Sequence, residues 1–246
     1  PIMVMEFAVG RASKKSMSQS FTVLKPKNKI WSLWGYIGWA GNYILMMFYT
    51  VVTGWMLAYT FYSLMGNLSG INQEAVGNFF NSLLSSPIEM ILWMLLAVII
   101  GFAVCFSGLR GGVEKVTKIM MSGLLIIMIT LAIRSVTLDG AEDGLKFYLQ
   151  PDFKKLAESG TWNVIYAALG QSFFTLSIGI GSMAIFGSYI NKDKSLFGES
   201  LIITGLDTLV ALCAGLIIFP ACFAFGINPG AGPGLIFVTL PNMFNF

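Results

Sequence analysis

The stretch "TLSIGIG" at 175–181 sets Thr175 and Ser177 just ahead of two glycines inside an otherwise apolar run. Glycine weakens a helix, and hydroxyls compete for its backbone carbonyls. Non-helical backbone at membrane depth is tolerated only where it lines a cavity or is buried in protein. An unwound turn exposes carbonyl oxygens that coordinate a cation and amide groups that hold an anion. The other reading of Gly179 and Gly181 is a close-packing surface of small residues. Asp207, in "ITGLDTLVALCAGLIIFP", adds a carboxylate to a run with no other charge. Such a group is costly unless paired and by default marks an ion pathway or site. A place near a helix end, facing water, is the alternative. Tyr49, mid-run in "ILMMFYTVVTGW", carries a hydroxyl that wants a partner when buried, in a binding site or in packed core. With no His in 246 residues, the commonest metal ligand and general base is missing. The chemistry on offer is therefore binding of ions and polar groups.

The elements that must position these residues are membrane helices. The chain is 56% hydrophobic and 11% charged, with a mean hydropathy of +0.75. Soluble domains carry about 25% charged residues, so the composition predicts an all-α, polytopic transmembrane protein forming a single domain over 1–246. Apolar runs long enough to span occur at 41–65, 89–108, 118–137 and 200–225. Residues 164–190 make a further span, interrupted near 177–181, and 1–9 read as the end of another helix. The polar connectors are 10–29, 66–88, 109–117, 138–161, 191–199 and 226–246. Eleven of the 15 basic residues fall at the first, third and fifth of these, which assigns them to the cytoplasmic side. The intervening connectors lean acidic, with Glu74, Asp139, Glu142, Asp143, Asp152 and Glu158.

Trp31, Trp34 and Trp39 in "IWSLWGYIGW" read as an interfacial approach to the span at 41–65. Connectors 138–161 and 226–246 are too long for plain turns, and the second, rich in Gly and Pro, reads as a segment folding back as a lid. Cys105, Cys213 and Cys222 stand singly in apolar runs and read as small buried hydrophobes. The start at Pro1 and the end at "FVTLPNMFNF" read as an internal piece of a longer protein.

Seven motifs follow one another along the chain: "EFAVGR" at 6–11, "FYTVVTGW" at 48–55, "GLRGGVEKVTKIMM" at 108–121, "DGLKFYLQPDFKKL" at 143–156, "GQSFFTLSIGIG" at 170–181, "GSYINKD" at 187–193 and "LDTLVALCAG" at 206–215. In these residues and this order the sequence resembles the neurotransmitter:sodium symporters, in particular their bacterial amino-acid transporters. The resemblance implies a partial LeuT-type inverted-repeat fold with a discontinuous helix near 177–181. It implies helices two to seven of a twelve-helix protein, with helix one before Pro1 and helices eight onward after Phe246. It also implies sodium-coupled symport of a neutral, hydrophobic or aromatic amino acid across the cell's inner (cytoplasmic) membrane. The implied partners are that amino acid, the lipid bilayer and the missing helices, with no nucleic acid.

Carried over residue by residue, the resemblance implies that Tyr49 holds the substrate carboxylate and that Phe174 is the aromatic lid. Ser177 belongs to the unwound pocket lining, and Leu45 and Ile180 shape the side-chain subsite. Thr175 is implied as a hydroxyl ligand of the first sodium site, and Asp207 takes a position usually held by an asparagine ligand there. Gln171 corresponds to a polar residue near the outer gate and the anion site. Two departures stand out. Ala211 replaces the serine of chloride-dependent members, so no chloride requirement is expected, and Ile180 stands where many members carry an aromatic residue.

A channel or pore-forming subunit is the alternative from another class, since a broken helix and an intramembrane Asp would serve it too. A pore wants rings of polar residues along a continuous path, whereas these polar groups are few and scattered. An enzyme is not expected, because one intramembrane Asp without His makes no acid/base or metal constellation.

Overall fold

In the computed structural model, residues 1–27, 29–68, 70, 73–108, 112–227, 229–230 and 237 are described. Among them every regular element is helical: α1 (Ile2–Ser13), α2 (Met17–Leu24), α3 (Lys29–Leu64), α4 (Gln73–Leu84), α5 (Pro87–Phe106), α6 (Glu114–Val136), α7 (Ala141–Leu149), α8 (Phe153–Glu158), α9 (Thr161–Thr175), α10 (Ser182–Tyr189) and α11 (Leu196–Ala224). Four of these, α3, α5, α6 and α11, are long and apolar enough to cross a membrane. They match the four uninterrupted runs expected from the sequence.

The structure adds detail to the connectors. Residues 29–40 continue into the span at 41–65 as one helix, since α3 runs unbroken for 36 residues. At about 1.5 Å per residue it is roughly 54 Å long, longer than the ~30 Å hydrocarbon core requires, and its first turns carry Trp31 and Ser32. The short α2 folds back on them, with Phe21 and Trp31 rings 5.9 Å apart and the Thr22 and Ser32 hydroxyls 3.2 Å apart. Connector 66–88 contains α4, and connector 138–161 contains α7 and α8. Glu142 and Asp143 in the first turn of α7 and Lys146 in its last favour the helix dipole. Asp152 caps α8, accepting from the Lys154 and Lys155 amides at 3.0 Å each. The reading of the cysteines is corrected in part: Cys222 is buried and Cys213 half-buried, while Cys105, near the end of α5, is exposed. The proposed lid at 226–246 lies mostly outside the described residues, as do 109–111 of the third connector.

The chain forms two compact units, Pro1–Met47 with Asp152–Val210 and Phe48–Pro151 with Ala211–Phe246. In the first, α1 crosses α10 through glycines. A Cβ on Gly187 would lie 2.6 Å from the Phe7 carbonyl, and one on Gly10 would overlap the Ala184 carbonyl. Small residues let the two backbones touch, as membrane helix pairs require. Around the crossing, Met3, Phe7 and Leu196 form a buried cluster with Leu176 and Ile178 packed on it. At one end of this unit Arg11 donates to the Lys194 carbonyl and Lys14 to that of Ser188, each at 2.8 Å. Connectors 10–29 and 191–199 therefore meet at one end of this unit.

The second unit centres on Ala58, Tyr59, Leu68, Phe80, Leu83 and Phe237. Gly54 brings α3 onto the α5 backbone, since a Cβ there would lie 2.8 Å from the Met94 nitrogen. Pro220 sits inside α11 and removes one amide from its ladder. One turn before it, the buried Ser135 hydroxyl of α6 donates to the Ile217 carbonyl at 2.6 Å.

Gly187→Val is expected to separate α1 from α10, because the obstructing atoms are backbone. Overpacking of this kind costs about 1–3 kcal/mol or more. In the full-length protein the detergent-solubilised melting temperature should fall by several degrees, and an unchanged melting curve would show that the crossing tolerates a side chain.

Candidate functional site

The interrupted span is interrupted in the structure, and somewhat more widely than the sequence suggested. Helix α9 ends at Thr175 and α10 begins at Ser182, leaving 176–181 non-helical. The end of α9 closes by a Schellman pairing: the Ser177 amide donates to the Phe174 carbonyl at 3.1 Å and the Ile178 amide to that of Phe173 at 3.0 Å. That geometry needs a left-handed residue, here Ser177 at φ 51°. Glycine is usual there, and a residue with a Cβ costs roughly 1–2 kcal/mol in this conformation. Gly179 and Gly181 then take φ of 93° and 78°, so both glycines serve the turn itself. Gly181 is also a close approach, since a Cβ there would overlap the Met17 side chain.

In a continuous helix the Gly179 amide would bond to the Thr175 carbonyl. It goes instead to Glu6 Oε1 of α1, at 2.6 Å. The Thr175 carbonyl thereby loses its helical partner next to the Thr175 hydroxyl, and one residue offers two hard oxygens of the kind an alkali cation takes. Gln171, one turn earlier on α9, donates to that hydroxyl at 3.2 Å, which fixes its rotamer and leaves oxygen lone-pair capacity for a second partner. The carboxylate of Glu6 faces the first turn of α10, where helix-end amides favour negative charge.

On the other side of the break, Asn42 of α3 donates through Nδ2 to the Ile180 carbonyl at 2.5 Å and to the Gly38 carbonyl at 3.1 Å. The Ser182 hydroxyl donates to Asn42 Oδ1 at 2.6 Å. The turn is thus held from both flanks by side chains of other helices.

The sequence-predicted residues fall as follows. Thr175, Gln171, Phe174, Ser177 and Ile180 lie on or beside the break; Ser177 and Ile180 are half-buried, while Phe174 is exposed. Gln171 and Thr175 are brought into direct contact. Leu45 lies on α3 within the first unit, three residues beyond Asn42 and so on the same side of the helix. Tyr49 is one turn further along the same helix and belongs to the second unit. Asp207 is half-buried and lies eleven residues into α11. That is roughly 16 Å along the axis from the helix start. Among the described residues no hydrogen bond joins Asp207 to Thr175. Glu6, Asn42 and Ser182 were not singled out by sequence reasoning; Glu6 was present only as the first letter of a motif.

A profile described as the sodium:neurotransmitter symporter family matches residues 80–245. The sodium-dependent transporter YhdH of Bacillus subtilis is 36% identical over 244 residues, 99% of this chain and 53% of that protein. A sodium-dependent transporter of Haemophilus influenzae is 36% identical over 254 residues, covering 100% of this chain and 55% of its own length. The chain thus spans about half the length of the curated relatives it matches. Among solved structures, the crystal structure of MhsT in complex with L-phenylalanine superposes with a TM-score of 0.91 at 39% identity, over 100% of this chain and 55% of that one. The helices thus have the LeuT-type arrangement.

Proposed function

The chain belongs to the sodium:neurotransmitter symporter family, and from that premise we propose that it forms part of a sodium-coupled symporter for a neutral, hydrophobic or aromatic amino acid in the inner membrane. It is a multi-pass membrane protein, and the proposed work is alternating access, with no covalent step. The observation that carries the reading is the break at 176–181, where the Gly179 amide is diverted to Glu6 and the Thr175 carbonyl loses its helical partner. MhsT, so similar in structure, was crystallised with L-phenylalanine, which supports a bulky apolar substrate here. Sodium is cargo in this scheme, held by Thr175 and Asp207. Tyr49 binds the substrate carboxylate, Phe174 closes over it, Ser177 lines the pocket, and Leu45 and Ile180 bound the side-chain subsite.

The test is uptake by the full-length protein in proteoliposomes. Saturable, sodium-dependent accumulation of leucine or phenylalanine supports symport, while an ohmic conductance without accumulation would replace this reading with a channel.

The side chain of Ile180 predicts graded selectivity. A methylene more or less in such a pocket is worth about 1–3 kcal/mol, so leucine-sized and aromatic amino acids should outcompete glycine and alanine. Ile180→Phe is expected to shift preference toward smaller substrates, measured as competition profiles against labelled leucine. Coincident profiles for wild type and variant would mean that Ile180 does not set pocket size.

A further inference from the structure

We propose that Asn42 is a positioning residue that fixes the Ile180 peptide and so sets the aperture of the side-chain subsite. The inference rests on the reading of Ile180 as a wall of that subsite, and its grounds are geometric. The Ile180 carbonyl belongs to non-helical backbone inside a membrane-spanning segment, where an unsatisfied polar group is costly. It is met by Asn42 Nδ2 at 2.5 Å. The same amide nitrogen donates to the Gly38 carbonyl of its own helix, and its oxygen accepts from Ser182. This set also fixes which way the amide points, because the flipped orientation would set an oxygen against two carbonyls.

The rest of that α3 face is cut to receive Ile180. A Cβ on Gly38 would lie 3.1 Å from the Ile180 carbonyl oxygen, and one on Gly41 would lie 3.3 Å from Ile180 Cγ2. Main chain and side chain of Ile180 are therefore seated against three near-neighbours on one helix, with Asn42 as the polar anchor. Through Ser182, the first residue of α10, the anchor also ties the subsite wall to that helix. Aspartate is nearly isosteric with Asn42, yet it offers no donor and would face two carbonyl oxygens with a negative charge. Alanine only removes the anchor.

The experiment compares full-length wild type with Asn42→Ala, Asn42→Asp, Ser182→Ala and Gly41→Ala in proteoliposomes. Leucine, phenylalanine and alanine serve as labelled probes. For Asn42→Ala, KM for leucine and phenylalanine should rise about tenfold, as expected for loss of a buried hydrogen bond to an otherwise unsatisfied group. Its kcat should change far less, and its preference for leucine over alanine should shrink. Asn42→Asp should be worse than Asn42→Ala, and Ser182→Ala milder than either. Gly41→Ala keeps every hydrogen bond but crowds the Ile180 side chain, so it should change the leucine-to-alanine ratio without Asn42 being touched. Variants that lose kcat or folded yield while KM and selectivity stay at wild-type values would reduce Asn42 to a structural role and overturn the proposal. Hydrogen–deuterium exchange over 176–183 separates this from failure of the transport reading. If wild type accumulates no amino acid, faster exchange in Asn42→Ala still supports the anchor, and unchanged exchange overturns it.

Discussion

Glu6→Leu is expected to lower initial uptake by the full-length transporter about a hundredfold, with Glu6→Gln falling between it and wild type. The break survives in the membrane only because its freed backbone groups find partners outside their own helix. For the Gly179 amide that partner is Glu6 Oε1 at 2.6 Å. Leucine leaves this amide unsatisfied, at about 1–3 kcal/mol and more at membrane depth. It also removes a negative charge facing the first turn of α10, worth roughly 0.3–1 kcal/mol at an exposed helix end and up to ~2 in a partly buried one. The two losses together reach a factor near a hundred if the transport-competent turn is the state they destabilise. Glutamine keeps an acceptor oxygen for Gly179 and loses only the charge, so it should retain a measurable fraction. The measurement is initial uptake normalised to protein reaching the membrane. Wild-type KM and Vmax in Glu6→Leu would show that the turn at 176–181 stands without its carboxylate.

The turn was legible in the sequence, and the groups that hold it were not. Hydroxyls followed by Gly179 and Gly181 in an apolar run are a local signal, because left-handed backbone favours glycine wherever it occurs. The partners come from far along the chain: Glu6 lies 173 residues from Gly179 and Asn42 lies 138 from Ile180. No periodicity links residues at such separations. Asn42 also sits in a long aromatic and glycine-rich stretch, where tryptophans are an interface signal and nothing local marks a side chain that reaches another helix. Gly38 and Gly41 are the places where Ile180 approaches α3, a contact that no local pattern marks. The four uninterrupted spans were legible because length and hydropathy suffice for them. Helices α4, α7 and α8 were not, since short amphipathic helices between spans read as polar connectors.

Asp207 is the second residue on which a large effect is expected: transport should depend on sodium and not on chloride, and Asp207→Asn should strongly weaken the sodium dependence. Asp207 lies eleven residues along an apolar helix, where a carboxylate is costly unless it is paired. If it faces the cation that the Thr175 oxygens also face, the protein supplies the compensating negative charge itself. At about 4 Å and an effective dielectric near 20, opposite unit charges attract by roughly 4 kcal/mol before desolvation is counted. A neutral amide at this position lacks that compensation, and a bound anion is one way to restore it. Ala211, one turn further along α11, has no hydroxyl to offer such an anion, and a chloride close to Asp207 would be repelled by it. Asp207→Asn removes the charge while keeping an oxygen ligand and nearly the same volume, so its effect reads electrostatics rather than packing. Uptake by the full-length transporter should be equal in sodium chloride and sodium gluconate. In Asp207→Asn the sodium concentration for half-maximal uptake should rise by an order of magnitude or more, as loss of even a third of that ~4 kcal/mol would produce. A several-fold loss of wild-type uptake without chloride would refute the charge argument, as would an Asp207→Asn variant with unaltered sodium dependence.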